Sequence, residues 1–119
     1  MDAIIYHNTE CTKSNAALSL LLEQGIDVSV VNYLGTPLSP HLLKTLLGQL
    51  GIEAKALIRF GEPAAKELGI GFDDIRDENQ WLSFMAIHPV LIERPIVVIN
   101  NKAVIGRLLE SILGLIKNT

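Results

Sequence analysis

The sequence predicts an α/β domain in which a small mixed β-sheet is flanked by helices and interrupted by an inserted helical block. Two observations predict the sheet: a strand–helix–strand pattern opens the chain, and a hairpin followed by an amphipathic helix closes it. A third predicts the insertion, since residues 52–88 carry no strand signal. The length of 119 residues is that of one ordinary domain. We therefore expect a single domain over residues 1–119, with a helical insertion at about 38–90.

The opening pattern is a βαβ unit. Residues 3–7 form an apolar run rich in β-branched side chains, which predicts a buried strand. Residues 14–24 are rich in Ala and Leu and end before Gly25, as is typical of a helix and its stop. Residues 28–34 predict a second strand. A helix between two such strands makes them parallel neighbours with a right-handed crossover.

The middle of the chain predicts helices. Ser39 can cap a helix with Pro40 at its first position, and Gly51 ends that helix. Residues 62–68 predict a short helix, and Asp77 can cap a further one. The apolar residues that share one side of the first and last of these helices are Leu42, Leu43, Leu46, Leu47 and Leu50, and Trp81, Leu82, Phe84 and Met85.

The end of the chain predicts two antiparallel strands and a helix. Residues 96–99 give the clearest strand signal, and Asn100-Asn101 is typical of a tight turn. Residues 102–106 form the other arm of the hairpin. Residues 108–116 then repeat the leucine and isoleucine spacing of an amphipathic helix.

The composition excludes several classes of protein. The net charge of −3 argues against a bulk basic surface for nucleic acid. No apolar run approaches the roughly 20 residues that span a bilayer, and the N-terminus has no signal-peptide pattern. The single cysteine, Cys11, excludes an internal disulfide and a structural zinc site. We therefore expect a cytoplasmic monomer with no metal, no nucleic-acid partner and no membrane partner.

Cys11 is predicted to lie in the loop between the first strand and the first helix, which matches thioredoxin-like architecture. The free N–H groups and the partial positive charge of a helix start stabilise a thiolate and bind oxyanions. The backbone N–H groups of residues 12–15, and with them Thr12, Ser14 and Asn15, are therefore candidates for binding an anionic substrate. The polar neighbours of Cys11 favour a reactive thiol over the alternative, a buried and inert cysteine.

His7 ends the first strand, four residues before Cys11. Chemically it could hold the thiolate or transfer a proton. The alternative interpretation is an ordinary polar residue at a strand end.

Three arginines are candidates for an oxyanion clamp, because a guanidinium group offers a planar fork of donors. Arg94 precedes one strand of the hairpin and Arg107 follows the other, so the two can converge. Arg59 cannot be placed by pattern alone. The alternative for any single arginine is a solvated surface position.

Several segments together resemble the glutaredoxin-coupled arsenate reductase family, in order and over nearly the whole chain. They are Tyr6-His7-Asn8, Cys11-Thr12-Lys13-Ser14, Tyr33-Leu34-Gly35-Thr36-Pro37, Leu57-Ile58-Arg59, His88-Pro89, Leu91-Ile92-Glu93-Arg94-Pro95-Ile96-Val97-Val98 and Ile105-Gly106-Arg107.

The resemblance implies a thioredoxin-like fold with a helical insertion, a cis proline at Pro95 and Cys11 as the nucleophile. It also implies that Arg59, Arg94 and Arg107 stabilise the thiolate and grip the oxyanion, and that His7 supports the network. The expected reaction is reduction of arsenate to arsenite, with no bound cofactor. Because Cys11 is the only thiol, the second thiol must come from outside, and we expect glutathione as co-substrate and glutaredoxin as partner.

The chain departs from the family pattern in three places. Asn15 stands where the loop usually has an arginine, and Leu108-Leu109-Glu110 replaces Pro-Pro-Glu after Arg107. The chain also stops at Thr119, so it resembles the short branch of the family. Two alternatives stay open: a glutathione-dependent oxidoreductase acting on another oxyanion or a glutathionylated protein, and a regulator that binds RNA polymerase. The regulators resembling this fold carry a Cys-x-x-Cys switch, and Ser14 stands in place of its second cysteine.

Overall fold

The computed structural model describes residues 1–118. The chain divides into two compact units. The sheet unit contains residues 1–36 and the chain from Arg94 onward, and the helical unit is Pro37–Glu93. In chain order the elements are β1 (Asp2–His7), α1 (Thr12–Glu23), β2 (Asp27–Asn32), α2 (Pro40–Leu50), a 3-10 turn (Ala54–Leu57), α3 (Pro63–Leu68), α4 (Glu78–Ile87), a second 3-10 turn (Pro89–Leu91), β3 (Ile96–Ile99), β4 (Lys102–Ile105) and α5 (Leu109–Lys117).

The sheet unit holds a mixed sheet with the strand order β2-β1-β3-β4. β1 and β2 run parallel, with Ile5 beside Val30. β3 runs antiparallel to both β1 and β4, with Tyr6 beside Ile96 and Ile96 beside Ile105. This register brings the end of β1, the start of β3 and the end of β4 to one edge of the sheet.

One face of the sheet is covered by α1 and α5. The buried side chains of this core are Ala3, Ile5, Ala17, Leu21, Ile26, Val97, Ile99, Ile112 and Leu115. Burying apolar surface stabilises the unit by about 25 cal/mol for each Å² removed from water. This core holds α1 against the sheet. Because the first turn of α1 directly follows Cys11, the core also fixes the position of the Cys11 loop relative to the strands.

The helical unit begins at the predicted cap. The Ser39 hydroxyl accepts the Leu42 N–H at 3.1 Å, and α2 ends at Gly51 with a positive φ of 70°. At the start of α4, Asp77 and Gln80 form a reciprocal capping box. The only strand-like pairing described in residues 37–93 is an isolated bridge between Ile58 and Ile92.

The predicted fold class is confirmed, and the strands and helices are found where the sequence predicts them. Three details differ. α1 begins at Thr12 rather than at residue 14, because Cys11 already has the extended backbone of an N-cap. β2 ends at Asn32 rather than at 34, because a turn follows in which the Gly35 and Thr36 N–H groups donate to the Asn32 carbonyl. The two 3-10 turns carry no periodicity long enough to be predicted.

Within residues 1–118, no helix has both the length and the apolar character that a membrane crossing requires.

Candidate active site

Cys11 is a half-buried free thiol at the N-cap of α1. Its own N–H donates to the Asn8 carbonyl at 3.0 Å. The Asn8 side-chain oxygen accepts the Glu10 N–H at 2.9 Å. These two bonds turn the chain sharply between the end of β1 and the start of α1. The sulfur atom is therefore attached directly to a helix start, closer to it than the predicted boundary implied.

The hydrogen bonds of the first turn of α1 determine which backbone N–H groups have no intrahelical partner and can bind a ligand. The Asn15 N–H donates to the Cys11 carbonyl at 3.0 Å, and this is the first bond of the helix. The N–H groups of Thr12, Lys13 and Ser14 precede that bond, and a helix leaves such groups without an intrahelical partner. The prediction that the amide of residue 15 is also available was wrong, because the helix uses it. Thr12 is exposed at the first helical position.

His7, Asn8 and Ser14 form a buried polar group beside the loop. Their exposed fractions are 3%, 8% and 0%. The Ser14 Oγ is hydrogen-bonded to His7 Nδ1 and accepts the Asn8 N–H at 3.1 Å. The Ser14 side chain therefore joins the end of β1 to α1, and only its backbone N–H is left for an anion.

The His7 imidazole is held in an environment that disfavours its charged form. Burial lowers the pKa of His7 below its ordinary value of 6.5, while a hydrogen bond with the Asn15 side chain acts in the opposite direction. A neutral imidazole has one N–H donor and one acceptor nitrogen. His7 is therefore suited to organising hydrogen bonds near Cys11 at neutral pH.

Arg94 and Arg107 come together as the hairpin predicts. Ile96 lies beside Ile105, and the Gly106 N–H donates to the Pro95 carbonyl at 2.8 Å. The Arg107 guanidinium donates to the Arg94 carbonyl at 3.4 Å. The Arg94–Pro95 peptide bond is cis, as the resemblance implies. Both arginines thus belong to the edge of the sheet at which β1 leads into the Cys11 loop.

Gly106 is a residue whose role the sequence did not indicate. A Cβ atom on Gly106 would lie 2.9 Å from Cδ1 of Ile112 and 3.3 Å from Cγ of Pro95. A larger residue at the end of β4 therefore requires the buried Ile112 side chain of α5 to move. The single signal in the sequence is a glycine between Ile105 and Arg107.

Arg59 belongs to the helical unit, where two carboxylates hold it. Its Nη1 contacts the Glu62 carboxylate, and its Nε lies 3.5 Å from Glu93 Oε1. The Arg59 side chain is 23% exposed. Its backbone N–H donates to the Leu91 carbonyl at 2.7 Å. These contacts orient the guanidinium group without using all five of its N–H donors.

The sheet edge offers one thiol, three first-turn amides and two guanidinium groups. A thiolate is a nucleophile, and the N–H donors and guanidinium groups are suited to a tetrahedral oxyanion. Within the described chain, no group of three or more His, Cys, Asp or Glu residues could hold a metal ion. A thiol together with such donors is the set of groups that thiol attack on an anion uses.

Comparison with known proteins identifies the family of the chain. The profile of the ArsC family matches residues 6–115. The chain is 46% identical over 109 residues to the arsenate reductase of Neisseria meningitidis, covering 91% of this chain and 92% of the relative. It is 42% identical over 94 residues to an arsenate reductase of Escherichia coli, covering 79% of this chain and 66% of the relative. The solved arsenate reductase of Vibrio cholerae superposes with a TM-score of 0.91 at 45% identity, covering 96% of this chain and 97% of that one. The chain belongs to the ArsC family.

Proposed function

We propose that the protein is an arsenate reductase, an oxidoreductase that converts arsenate to arsenite. The observation that supports the proposal is the strand register: β1 ends just before the loop that carries Cys11 at a helix start, and Arg94 and Arg107 flank the strand ends at the same edge of the sheet. The similarity to the Neisseria and Vibrio arsenate reductases supports it.

In the first step, the Cys11 thiolate attacks arsenate. A sulfur–arsenic bond forms, and an oxygen of arsenate leaves as water after taking up protons. The negative oxygens are neutralised by the first-turn N–H groups of residues 12–14 and by the guanidinium groups of Arg94 and Arg107. Such donors are effective because the fold has already oriented them before the charge arrives.

In the second step, an external thiol supplies the other electron equivalent. Cys11 is the only cysteine of the sequence, so the chain cannot form its own disulfide. We propose that glutathione attacks the Cys11 sulfur. The new S–S bond forms as the S–As bond breaks, and arsenic keeps the electron pair and leaves as arsenite. Glutaredoxin then reduces the mixed disulfide by thiol exchange. This cycle requires reduced thiols, so we propose the cytoplasm as its compartment.

His7 and Arg59 complete the proposed site. His7, neutral and bonded to Ser14, supports the loop that carries Cys11. Arg59 is proposed as a third guanidinium for the oxyanion, on the strength of the family resemblance. Its contacts with Glu62 and Glu93 hold the side chain in one orientation.

The proposal is tested by measuring arsenate-dependent oxidation of glutathione with glutaredoxin present. We expect turnover by the wild-type protein and background rates for Cys11→Ser, because serine is a far weaker nucleophile. Omitting glutaredoxin should allow a mixed disulfide with glutathione to accumulate on Cys11, visible by intact-protein mass. Ser19→Ala, an exposed serine further along α1, is the control. Activity that survives Cys11→Ser would overturn the proposal.

A second candidate is a glutathione-dependent oxidoreductase with another substrate. The observation that favours it is Asn15, whose amide is bonded to the Thr9 carbonyl at 2.9 Å where an arginine is usual. One positive charge beside the thiol is thereby missing. Removal of glutathione from a glutathionylated protein, without arsenate turnover and without stabilisation by arsenate in thermal unfolding, would favour this candidate.

A further inference from the structure

Asn15 contacts the Cys11 loop through both its backbone and its side chain. The backbone N–H donates to the Cys11 carbonyl at 3.0 Å, and the side-chain Nδ2 donates to the Thr9 carbonyl at 2.9 Å. These two acceptors lie on either side of Glu10 in the loop. A single residue of α1 therefore holds both the nucleophile's own peptide unit and the chain two residues before it.

The other end of the Asn15 amide faces His7. Ser14 Oγ accepts the Asn8 N–H and is also hydrogen-bonded to His7 Nδ1. A neutral imidazole has one N–H donor and one acceptor nitrogen. The hydrogen bond with Asn15 raises the pKa of His7, as an acceptor that favours the charged imidazole does, so the Asn15 oxygen is the group that accepts from His7. These hydrogen bonds connect Asn8 to Ser14, Ser14 to His7, His7 to Asn15 and Asn15 to Thr9.

We propose that Asn15 is a positioning residue for Cys11, which clamps the Thr9–Cys11 loop to α1 and orients His7 rather than binding the substrate oxyanion. This assignment replaces the expectation from the sequence that Asn15 contacts the substrate. One N–H of its amide remains after the bond to Thr9. Direct anion binding by Asn15 is therefore the alternative that an experiment has to distinguish.

The loop is short, which is why the clamp affects the thiol. Its hydrogen bonds include those from Cys11 and Glu10 to Asn8 and the one from Asn15 to Thr9. Removing the Asn15 amide leaves the Thr9 carbonyl to solvent and removes the acceptor of His7. The sulfur then samples more positions relative to the first-turn amides, and misplacement of a reacting group by even about 1 Å slows reactions strongly.

The test compares Asn15→Ala and Asn15→Asp in the full chain. The first readout is the alkylation rate of Cys11 by iodoacetamide, an uncharged reagent that reports on the only thiol of the chain. The second is the split between kcat and KM for arsenate. We expect Asn15→Ala to lower the alkylation rate and kcat by about three- to tenfold, equivalent to about 0.7–1.4 kcal/mol, with KM within twofold.

Asn15→Asp tests the clamp, because a carboxylate keeps the acceptor for His7 but cannot donate to the Thr9 carbonyl. Alkylation of all variants is measured at a pH at which the thiol is fully ionised, so that the added charge does not change the thiolate fraction. We expect it to lower the alkylation rate at least as much as Asn15→Ala. Asn79→Ala, the same change at an exposed position of α4, is the matched control and should alter neither readout. Asn15 is itself exposed, so urea unfolding should show all three variants to be folded.

The outcomes separate the possibilities. Wild-type alkylation rates in both Asn15 variants would overturn the positioning role, and so would a KM for arsenate raised more than about fivefold in Asn15→Ala. The measurement of kcat and KM rests on the proposed arsenate reductase activity, whereas the measurement of the Cys11 alkylation rate does not. A wild-type protein without arsenate turnover would therefore refute the proposed function while the alkylation rates still decide the role of Asn15.

Discussion

The two units of the molecule hold their polar side chains in different ways. In the sheet unit, His7, Asn8, Ser14 and Asn15 are connected by hydrogen bonds between neutral groups. In the helical unit, charged side chains are held by opposite charges and by aromatic rings. Arg59 contacts Glu62 and Glu93, Lys55 lies 5.1 Å from the Phe72 ring centre, and Arg76 lies 5.3 Å from that of Phe84.

This difference indicates how strongly a substitution should destabilise each unit. A buried network of neutral groups stabilises the fold only when every donor has an acceptor. Removing one side chain therefore leaves other buried polar groups without a hydrogen bond. Partly exposed ion pairs are screened by solvent, so the loss of one lowers the free energy of unfolding by less. The residues next to Cys11 should therefore tolerate substitution less well than the charged residues of the helical unit.

Ser14→Ala should produce the largest effect. It removes the partner of His7 Nδ1 and the acceptor of the Asn8 N–H, and both groups are buried. We expect the free energy of unfolding in urea to fall by about 3 kcal/mol. Ser19→Ala, the same change at an exposed position of α1, should stay within about 0.5 kcal/mol of wild type. Equal stability of the two variants would remove the contrast between the units.

Gly106→Ala tests packing at the same edge of the sheet. The added Cβ would meet Cδ1 of Ile112 at 2.9 Å, and Ile112 is fully buried. We expect a loss of about 2 kcal/mol, measured by urea unfolding, because the core must rearrange. Gly114→Ala in α5 is the matched control, since a Cβ there meets nothing within 4 Å. The control should be neutral or slightly stabilising, because alanine is the better helix former. A stable Gly106→Ala would show that this edge is not tightly packed.

Arg59→Met probes the helical unit and should cost less. It leaves the Glu62 and Glu93 carboxylates without this cation, but these side chains are 19% and 25% exposed and retain access to water. We expect a loss of about 1 kcal/mol, reduced further at high salt. Lys44→Met, which breaks an ion pair with Glu78 whose side chains are 64% and 47% exposed, should change stability by less. A loss in Arg59→Met larger than that of Ser14→Ala would reverse the comparison.

The pH dependence of stability should show the smallest effect, because the Asn15 hydrogen bond partly offsets the burial of His7. The folded protein has the lower His7 pKa, so the unfolded chain takes up a proton first as the pH falls. The contribution of His7 is therefore complete above pH 6.5 and is lost as the pH falls through the pKa of the folded state. Urea unfolding at pH 8, 7, 6 and 5 measures this loss.

The matched variants in that series are His7→Gln and His41→Gln. His7→Gln should flatten the part of the curve below pH 6.5 that His7 causes. His41 is an exposed residue of α2, and its replacement should leave that part of the curve unchanged. An identical pH dependence in wild type and His7→Gln would contradict the role given to burial.

Much of the fold could be predicted because apolar periodicity is a local property of the chain. The alternation and runs that predict β1, β3 and β4, and the leucine spacing of α2 and α5, fall within a few residues of the observed elements. The convergence of Arg94 and Arg107 was also predictable, because a hairpin joins its strand ends by geometry. The cis bond before Pro95 was not predictable from pattern, since only about 5–6% of such bonds are cis.

The sequence by itself determined the order of strands and helices, the presence of one thiol between β1 and α1, and the need for an external thiol in any disulfide chemistry. The tertiary structure decided that Cys11 is the N-cap of α1 and that the Ser14 and Asn15 side chains form hydrogen bonds with the backbone between β1 and α1. It also decided that two carboxylates contact Arg59 and that Gly106 lies against Ile112. The physical reason is the separation along the chain of the residues that interact. Periodicity and single-residue chemistry can be recognised in neighbouring residues, whereas a hydrogen-bond partner or a close contact depends on which atoms the folded chain brings within about 3–4 Å.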